Sequence, residues 1–243
     1  MTIDQVISLA ASIGACLSAL AAFLAVKEVA KQRESSYKPE LVLVKTLFKG
    51  ISNPLHKGAM PDFWTTDRES DESIDCVKSF SIPLRNVGLG AAKDVKATWS
   101  FPMEDTVALV NDLAQKAHIP AYFELKNGFL SLNSEELGEL TSVWRNQQLD
   151  SLDFVLPAQI DNSPIELTYP HAYIQIISAL IYFSVKSGKL ESFPDIPKLN
   201  LKLEYSDIGG LAHSAQYLLH TNIVSIVNDS EVFNGYIDSE SCA

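Results

Sequence analysis

Cysteine and histidine are scarce in this chain of 243 residues, and neither is clustered. The three cysteines stand at positions 16, 76 and 242. These spacings exclude a CxxC pair and a disulfide framework, and they are typical of a protein from a reducing compartment. The five histidines form no HExxH or HxH pattern, so the sequence predicts no metal site and no cofactor.

Positive charge is also in short supply. Lys and Arg number 19 against 30 Asp and Glu, which gives a formal net charge of -11. Nucleic-acid binding depends on clustered basic residues that neutralise phosphates, so we predict no nucleic-acid partner. An acidic run at 67–72 lacks the glycine and the spaced glutamate of a calcium loop, and we interpret it as a solvated loop.

Familiar catalytic signatures are missing as well. The sequence contains no GxSxG elbow, no Walker A loop and no kinase or dinucleotide motif. We therefore assign no catalytic residue. An enzyme with an unfamiliar site is still open as an alternative.

The first segment of the chain is marked by the absence of charge. Val6 to Val26 contains 21 residues without a charged residue or a proline, and as a helix it would rise about 32 Å, close to the hydrocarbon thickness of a bilayer. A cleaved signal peptide would need positive charge before the apolar run, where only Asp4 stands. A buried helix would need protein on every side. We predict a transmembrane anchor over residues 1–26.

The flanks of this anchor predict its orientation. No basic residue precedes the span, and four follow it closely: Lys27, Lys31, Arg33 and Lys38. The positive-inside rule then places the rest of the chain in the cytoplasm, as the soluble domain of a single-pass membrane protein. Residues 27–38 read as a helical stalk that ends before Pro39, because the residue before proline disfavours the helical conformation.

Small residues repeat along the anchor at four-residue spacing, at Gly14, Ser18 and Ala22. Such spacing lets two helix backbones approach closely, which predicts a homo-oligomer or a membrane-protein partner. The alternative is that a helix this rich in alanine shows the spacing by chance.

The remainder, residues 39–243, is predicted to be a soluble β-rich domain with two or three helical insertions. Apolar residues at helical spacing mark an insertion at about 103–118. The capping-box spacing of Asn133 and Glu136 marks another at 134–147. A third, at 171–187, lies between Pro170 and Gly188 and is too short to span a bilayer, although a strand or a membrane-resting segment stays open. The polar tail 228–243 is expected to fray.

Two glycine turns punctuate the strand pattern. Asn86, Gly88 and Gly90 separate two alternating segments, and we expect positive φ angles there. The stretch NVGLGAAKDV resembles the Asn-x-Gly-x-Gly-x-Ala turn of immunoglobulin-like bacterial sandwiches, including CARDB modules. The resemblance covers about ten residues and implies an edge hairpin of a β-sandwich. A second turn, at Gly209 and Gly210, follows the alternating segment from Leu199 and predicts another hairpin.

The residues beside these turns are the best candidates for ligand or partner contact, because loops gather at one end of a sandwich. They are Arg85, Asn86, Tyr205, Asp207 and His213. The alternative for Asp207 is a turn residue that bonds its own backbone.

The order of anchor, basic stalk and β-rich domain resembles prokaryotic membrane-anchored β-sandwich proteins of unknown activity, several of which are effectors or sensors in bacterial stress and antiphage systems. The resemblance implies a membrane-tethered cytoplasmic binding or effector module that acts through partner or ligand binding and helix association. A membrane-anchored enzyme and a structural subunit of a membrane complex are the alternatives.

Overall fold

The computed structural model of the protein describes residues 3–52, 60–66, 79–144, 148–188, 195–227 and 231–242. Within these ranges it contains three helices: α1 (Ile3–Ser36), α2 (Met103–Lys116) and α3 (His171–Lys186). The strands are β1 (Leu41–Leu43), β2 (Thr46–Ile51), β3 (Phe63–Thr65), β4 (Ser81–Asn86), β5 (Ala92–Ser100), β6 (Ala121–Lys126), β7 (Phe129–Ser134), β8 (Leu140–Val143), β9 (Gln148–Val155), β10 (Ile165–Thr168), β11 (Leu199–Ser206), β12 (Ala212–Val227) and β13 (Val232–Cys242). The acidic run at 67–72 lies outside the described residues.

One long apolar helix precedes a domain that is mostly β. Within α1, Ala11–Gln32 is a 22-residue stretch of mean hydropathy 1.8, none of it buried, which is long and apolar enough to cross a membrane. Its large side chains, such as Leu17 and Phe23, are more than half exposed. Water is a poor solvent for such a surface. The helix ends at Ser36, three residues before Pro39.

Three antiparallel sheets build the described part of the domain. The largest has the strand order β3-β2-β13-β12-β11-β5-β9, and two smaller sheets have the orders β1-β4-β10 and β6-β7-β8. The hairpin predicted around Gly209 and Gly210 is confirmed, since β11 and β12 pair from Leu199↔Leu219 to Ser206↔Ala212.

The hairpin predicted around Gly88 and Gly90 is wrong. Strand β4 pairs with β1 and β10, whereas β5 pairs with β11 and β9. The 87–91 loop therefore carries the chain from one sheet to another. Alternation of apolar residues on both sides of a glycine turn cannot distinguish this crossing from a hairpin, because both need the same local chemistry.

Helix α3 lies in the core, so residues 171–187 form a buried helix and not a strand or a membrane-resting segment. Every side chain from Ala172 to Ser184 is buried. Hydrogen bonds tie the helix to the large sheet: Trp64 Nε1 donates to Ser178 Oγ at 2.9 Å, and the hydroxyls of Tyr173 and Thr221 lie 2.9 Å apart. A helix buried on all sides is apolar all round, which explains why its sequence resembles a short membrane span.

The helix predicted at 134–147 is wrong. Ser134 ends β7, and its Oγ accepts hydrogen bonds from the N–H groups of Glu136 and Leu137 in a single turn. Gly138, at φ +85°, then breaks any helical continuation, and β8 follows at Leu140. The serine makes the local contact that a cap would make, but the left-handed glycine ends the segment after one turn.

The frayed tail predicted for 228–243 is also wrong where the structure describes it. Strand β13 lies between β12 and β2 inside the large sheet. Its residues Phe233, Gly235 and Ile237 are buried, and the residues between them are partly exposed. Two reciprocal pairs fix its register on β2, Phe233 opposite Gly50 and Gly235 opposite Phe48. Each aromatic ring covers the glycine across from it, a known stabilising arrangement in sheets.

Candidate functional site

The segment that leaves α1 is bound into the domain by one buried asparagine. We call residues Tyr37–Leu41 the junction. Asn86 is 1% exposed; its Oδ1 accepts hydrogen bonds from the N–H groups of Glu40 and Gly88, both at 3.0 Å. Its Nδ2 donates to the carbonyl oxygens of Gly90 at 2.7 Å and Val155 at 3.0 Å. The amide therefore uses both of its donors and both lone pairs of its oxygen on backbone groups.

The two glycines that follow Asn86 are required by close approach of the junction. Their φ angles lie outside the left-handed region, so the expectation of positive φ at Asn86, Gly88 and Gly90 is wrong. A Cβ on Gly88 would lie 2.5 Å from the nitrogen of Glu40, and a Cβ on Gly90 would overlap the carbonyl of Tyr37. Only glycine leaves room for the junction. In the second turn, Gly210 does have a left-handed φ of +86°, whereas Gly209 does not.

Two tyrosines of the large sheet hold the junction from the other side. The Tyr205 hydroxyl donates to the Pro39 carbonyl at 3.5 Å, and the Tyr217 hydroxyl donates to the Leu41 carbonyl. Burial, together with the nearby Glu40 carboxylate, raises the pKa of Tyr205, and burial first of all raises that of Tyr217. Both hydroxyls therefore keep their protons at neutral pH.

Asp207, His213 and Tyr205 lie together on the β11–β12 hairpin. His213 Nε2 is 3.0 Å from Asp207 Oδ2, and the His213 ring stacks on Tyr205 with centroids 5.5 Å apart. Asp207 Oδ1 also accepts the Leu211 N–H at 2.9 Å. The bond from His213, and next the bond from the Leu211 N–H, lower the pKa of Asp207. The carboxylate is thus both a turn residue and a partner of His213.

Arg85 precedes Asn86 on β4, so its side chain points to the opposite side of the strand from that of Asn86. Its Nη1 donates to Asn162 Oδ1 at 3.2 Å. Its Nε is buried and has no hydrogen-bond partner in the part of the chain that the structure describes. A cavity of about 160 Å³ is lined here by Arg85, Asn86, Asp161, Asn162 and Ser163, among others. An unpaired guanidinium donor beside such a cavity can receive a small ligand with acceptor oxygens.

The five candidate contact residues are therefore gathered at the α1 end of the domain, in two groups. Tyr205, Asp207 and His213 form one, Arg85 with its cavity forms the other, and Asn86 lies between them. Sequence reasoning missed Tyr217, whose position in an alternating strand indicates an inward side chain but not a hydroxyl bonded to the junction.

Sequence reasoning also missed a polar contact between β8 and α3. Ser142 Oγ lies 2.8 Å from His171 Nδ1 and 2.5 Å from Gln175 Oε1. Ser142 is 5% exposed, so a substrate carbonyl cannot approach its Oγ in this conformation. The contact fastens the β6-β7-β8 sheet to α3. No sequence spacing signals a pair that is 29 residues apart.

The small residues of α1 are free of contacts with the domain. Nothing lies within 4 Å of a Cβ built on Gly14, and Ser18 and Ala22 are exposed. The face is available to another helix, and the association itself is still a prediction. Among the described residues no group of three or more His, Cys, Asp or Glu side chains is placed to hold a metal ion.

Comparisons with models of protein families, with curated proteins and with solved structures find no match to this chain.

Proposed function

We propose that the chain is a membrane-tethered binding or effector module, with α1 as a single-pass anchor and the β-rich domain in the cytoplasm of a prokaryotic cell, at its inner membrane. The basic residues after the span, among them Lys27, Lys31 and Lys38, support this orientation. The order of anchor, basic stalk and β-rich domain supports a role in a bacterial stress or antiphage system. That the domain is an immunoglobulin-like sandwich is part of this proposal.

One observation carries the proposal: the junction is built into the same end of the domain as the candidate contact residues. Tyr205 stacks on His213 and also bonds the Pro39 carbonyl. Asn86 lies beside Arg85 in the cavity wall and bonds the Glu40 N–H. A ligand or partner that moves either group also moves the residues next to the end of α1. Binding is thereby coupled to the anchor through short hydrogen-bonded paths.

Membrane fractionation and two fragments test the tether. We expect the full chain to need detergent and a fragment beginning at Tyr37 to be soluble and folded, since it keeps the whole junction. A matched fragment beginning at Leu41 loses the Glu40 N–H that bonds Asn86 and the Pro39 carbonyl that bonds Tyr205, and it should unfold at lower denaturant concentration. Extraction of the full chain by a salt or carbonate wash alone would contradict the proposal.

The coupling requires the anchor in cells. In a strain that depends on the protein, the fragment from Tyr37 should give no biological effect while it retains ligand or partner binding. Full effect from that fragment, or turnover of a metabolite by it in an untargeted activity screen, would replace this proposal with the enzyme alternative.

Helix association is tested in the anchor itself. The double substitution Gly14→Leu with Ser18→Leu fills the small-residue face and should reduce self-association in detergent micelles, measured by analytical ultracentrifugation. Cys16→Leu is the matched control, because it adds a side chain of similar size about half a turn away. Equal association of both variants and the native chain would show that this face makes no contact.

A further inference from the structure

Three loops meet at the end of the domain where α1 is attached. They are residues 87–91, 156–164 and 207–211, and we call them the anchor-side loops. The first abuts the junction directly, through Gly88 and Gly90. The second loop is bonded to Asn86, the residue before the first loop: the Ala158 N–H donates to the Asn86 carbonyl at 2.9 Å. The third follows Ser206, which pairs with Lys93 two residues after the first loop.

The tips of all three loops are apolar and exposed. Leu89 is 54% exposed, Ile160 72% and Ile208 70%. Further exposed apolar side chains stand beside them at Tyr37, Val87, Leu156 and Leu211. Single exposed apolar residues are ordinary, and others lie elsewhere on the domain, such as Tyr122 and Val224. Seven of them grouped at one end mark a contact surface.

The position of α1 identifies what this surface faces. The apolar stretch Ala11–Gln32 ends five residues before Tyr37, and the uncharged run ends at Val26, eleven residues before it. Five and eleven helical residues rise about 7.5 and 16.5 Å. One headgroup layer of a bilayer is roughly 5–8 Å thick. The junction, and the loops packed on it, therefore lie at the headgroup layer or just beyond it, and tilting of α1 brings the loop tips towards the lipid.

The exposed charges at this end of the domain indicate whether a membrane contact would be electrostatic or apolar. The exposed charged residues near the junction have mixed sign: Lys38 is basic, whereas Glu40 and Asp161 are acidic. A surface that bound anionic headgroups would have an excess of Lys and Arg. The favourable contribution here must come from burial of the apolar tips.

We propose that the anchor-side loops dock on the membrane that α1 spans, with Leu89, Ile160 and Ile208 inserted at the boundary between headgroups and acyl chains. This proposal rests on the membrane-tethered function proposed above. Docking holds the domain against the bilayer, so its orientation is set by four points, the helix and three loops, rather than by the helix alone. The ligand cavity beside Arg85 then opens close to the lipid surface, within reach of ligands that are concentrated there.

Quenching of site-specific fluorophores in the full chain tests the contact. The native cysteines at 16, 76 and 242 are replaced by alanine, and single cysteines are introduced as Ile208→Cys and Leu89→Cys. Phe23→Cys reports the span. Val227→Cys is the matched control, because Val227 is an exposed apolar residue at the opposite end of β12. The labelled proteins are reconstituted in phosphatidylcholine nanodiscs and exposed to acyl-chain nitroxide quenchers or to iodide.

We expect the labels at 23, 89 and 208 to be quenched by the acyl-chain nitroxide, and the label at 227 to be quenched by iodide alone. Phosphatidylserine should leave the result unchanged. A double charge substitution, Leu89→Asp with Leu211→Asp, should abolish lipid quenching of a label at Ile160→Cys while tryptophan fluorescence shows the native fold.

Each contrary result contradicts one defined part of the two proposals, the docking or the tether. Lipid quenching at 23 without quenching at 89 and 208 overturns the docking and leaves the tether intact. Absence of quenching at 23 overturns the tether. Protection of the loop labels from both quenchers shows contact with a second copy of the chain in place of lipid. A requirement for phosphatidylserine shows an electrostatic contact. Both results overturn the apolar docking.

Discussion

Replacement of Asn86 by alanine should destabilise the domain more than any other single loss of a polar side chain at the junction. The substitution removes four hydrogen bonds at once, two to N–H groups and two to carbonyl oxygens. Two of these backbone groups belong to the 87–91 loop, one to the junction and one to the end of β9. Asn86→Ala therefore loosens three chain segments together.

The magnitude follows from how many of these groups water can reach afterwards. A typical hydrogen bond contributes about 0.5–1.5 kcal/mol net, and a buried group left unpaired costs about 1–3 kcal/mol. The contacts to Gly90 and Val155 are buried, whereas those to Glu40 and Gly88 are partly exposed, so water can replace the latter. We expect Asn86→Ala to lower the free energy of unfolding by about 2–4 kcal/mol, or roughly 4–16 °C in Tm.

Tryptophan fluorescence provides the assay. Trp64, Trp99 and Trp144 are all buried in the domain, and α1 contains no tryptophan, so urea unfolding of the full chain in detergent reports the domain. The control is Asn162→Ala, because Asn162 is exposed and accepts one hydrogen bond from Arg85. It should change the free energy of unfolding by less than about 0.5 kcal/mol.

A second substitution separates the two hydrogen bonds that Asn86 accepts from the two that it donates. Asn86→Asp keeps both acceptor bonds but places a carboxylate oxygen against two carbonyl oxygens, so it should destabilise at least as much as Asn86→Ala. A loss below about 0.5 kcal/mol for Asn86→Ala, or an aspartate variant clearly more stable than the alanine variant, would refute the four-bond account.

Three other predictions concern the sheet, the junction and pH. Gly50→Ala would place a Cβ about 2.7 Å from Cε1 of the Phe233 ring and should lower the free energy of unfolding by about 1–3 kcal/mol in a urea titration. Gly90→Ala would place a Cβ on the position of the Tyr37 carbonyl and displace the junction. Limited proteolysis should then cut the junction faster than in the native chain, while the β-sheet signal in circular dichroism is retained. The lowered pKa of Asp207 means that its ionised form stabilises the fold above the ordinary aspartate pKa and that this stability is lost as the pH falls through the lowered value. Asp207→Asn should therefore flatten the acid limb of a plot of Tm against pH.

The β11–β12 turn provides a control for the two glycine variants. Gly209→Ala should be nearly neutral, since a Cβ there meets only the Asp207 side chain at 3.2 Å. Effects of Gly50→Ala or Gly90→Ala no larger than this control would contradict the close-approach argument. An acid limb that Asp207→Asn leaves unchanged would show that the bond from His213 does not contribute to stability.

The sequence by itself determined what depends on local pattern. An uncharged run from Val6 to Val26 can only be a helix in an apolar medium or a buried one, and the structure shows an apolar helix with its side chains exposed. Alternation from Leu199 to Tyr205 determined a strand with one buried face, which is present as β11. The 3.6-residue period after Pro102 likewise determined α2.

Only the tertiary structure decided features that depend on residues far apart in the chain. The segment that begins at Ser134 has the local chemistry of a helix start, but Gly138 ends it after one turn and Leu140–Val143 then pairs with β7 as a strand. The polar tail becomes a central strand because β2 and β12 supply partners for its backbone. At the candidate site the sequence placed Arg85, Asn86, Tyr205, Asp207 and His213 at one end of the domain, where the structure has them, but it assigned the wrong reason to Gly88 and Gly90. Their need for glycine comes from the backbone of Tyr37 to Glu40, about fifty residues earlier, and no local pattern records a contact made at that distance.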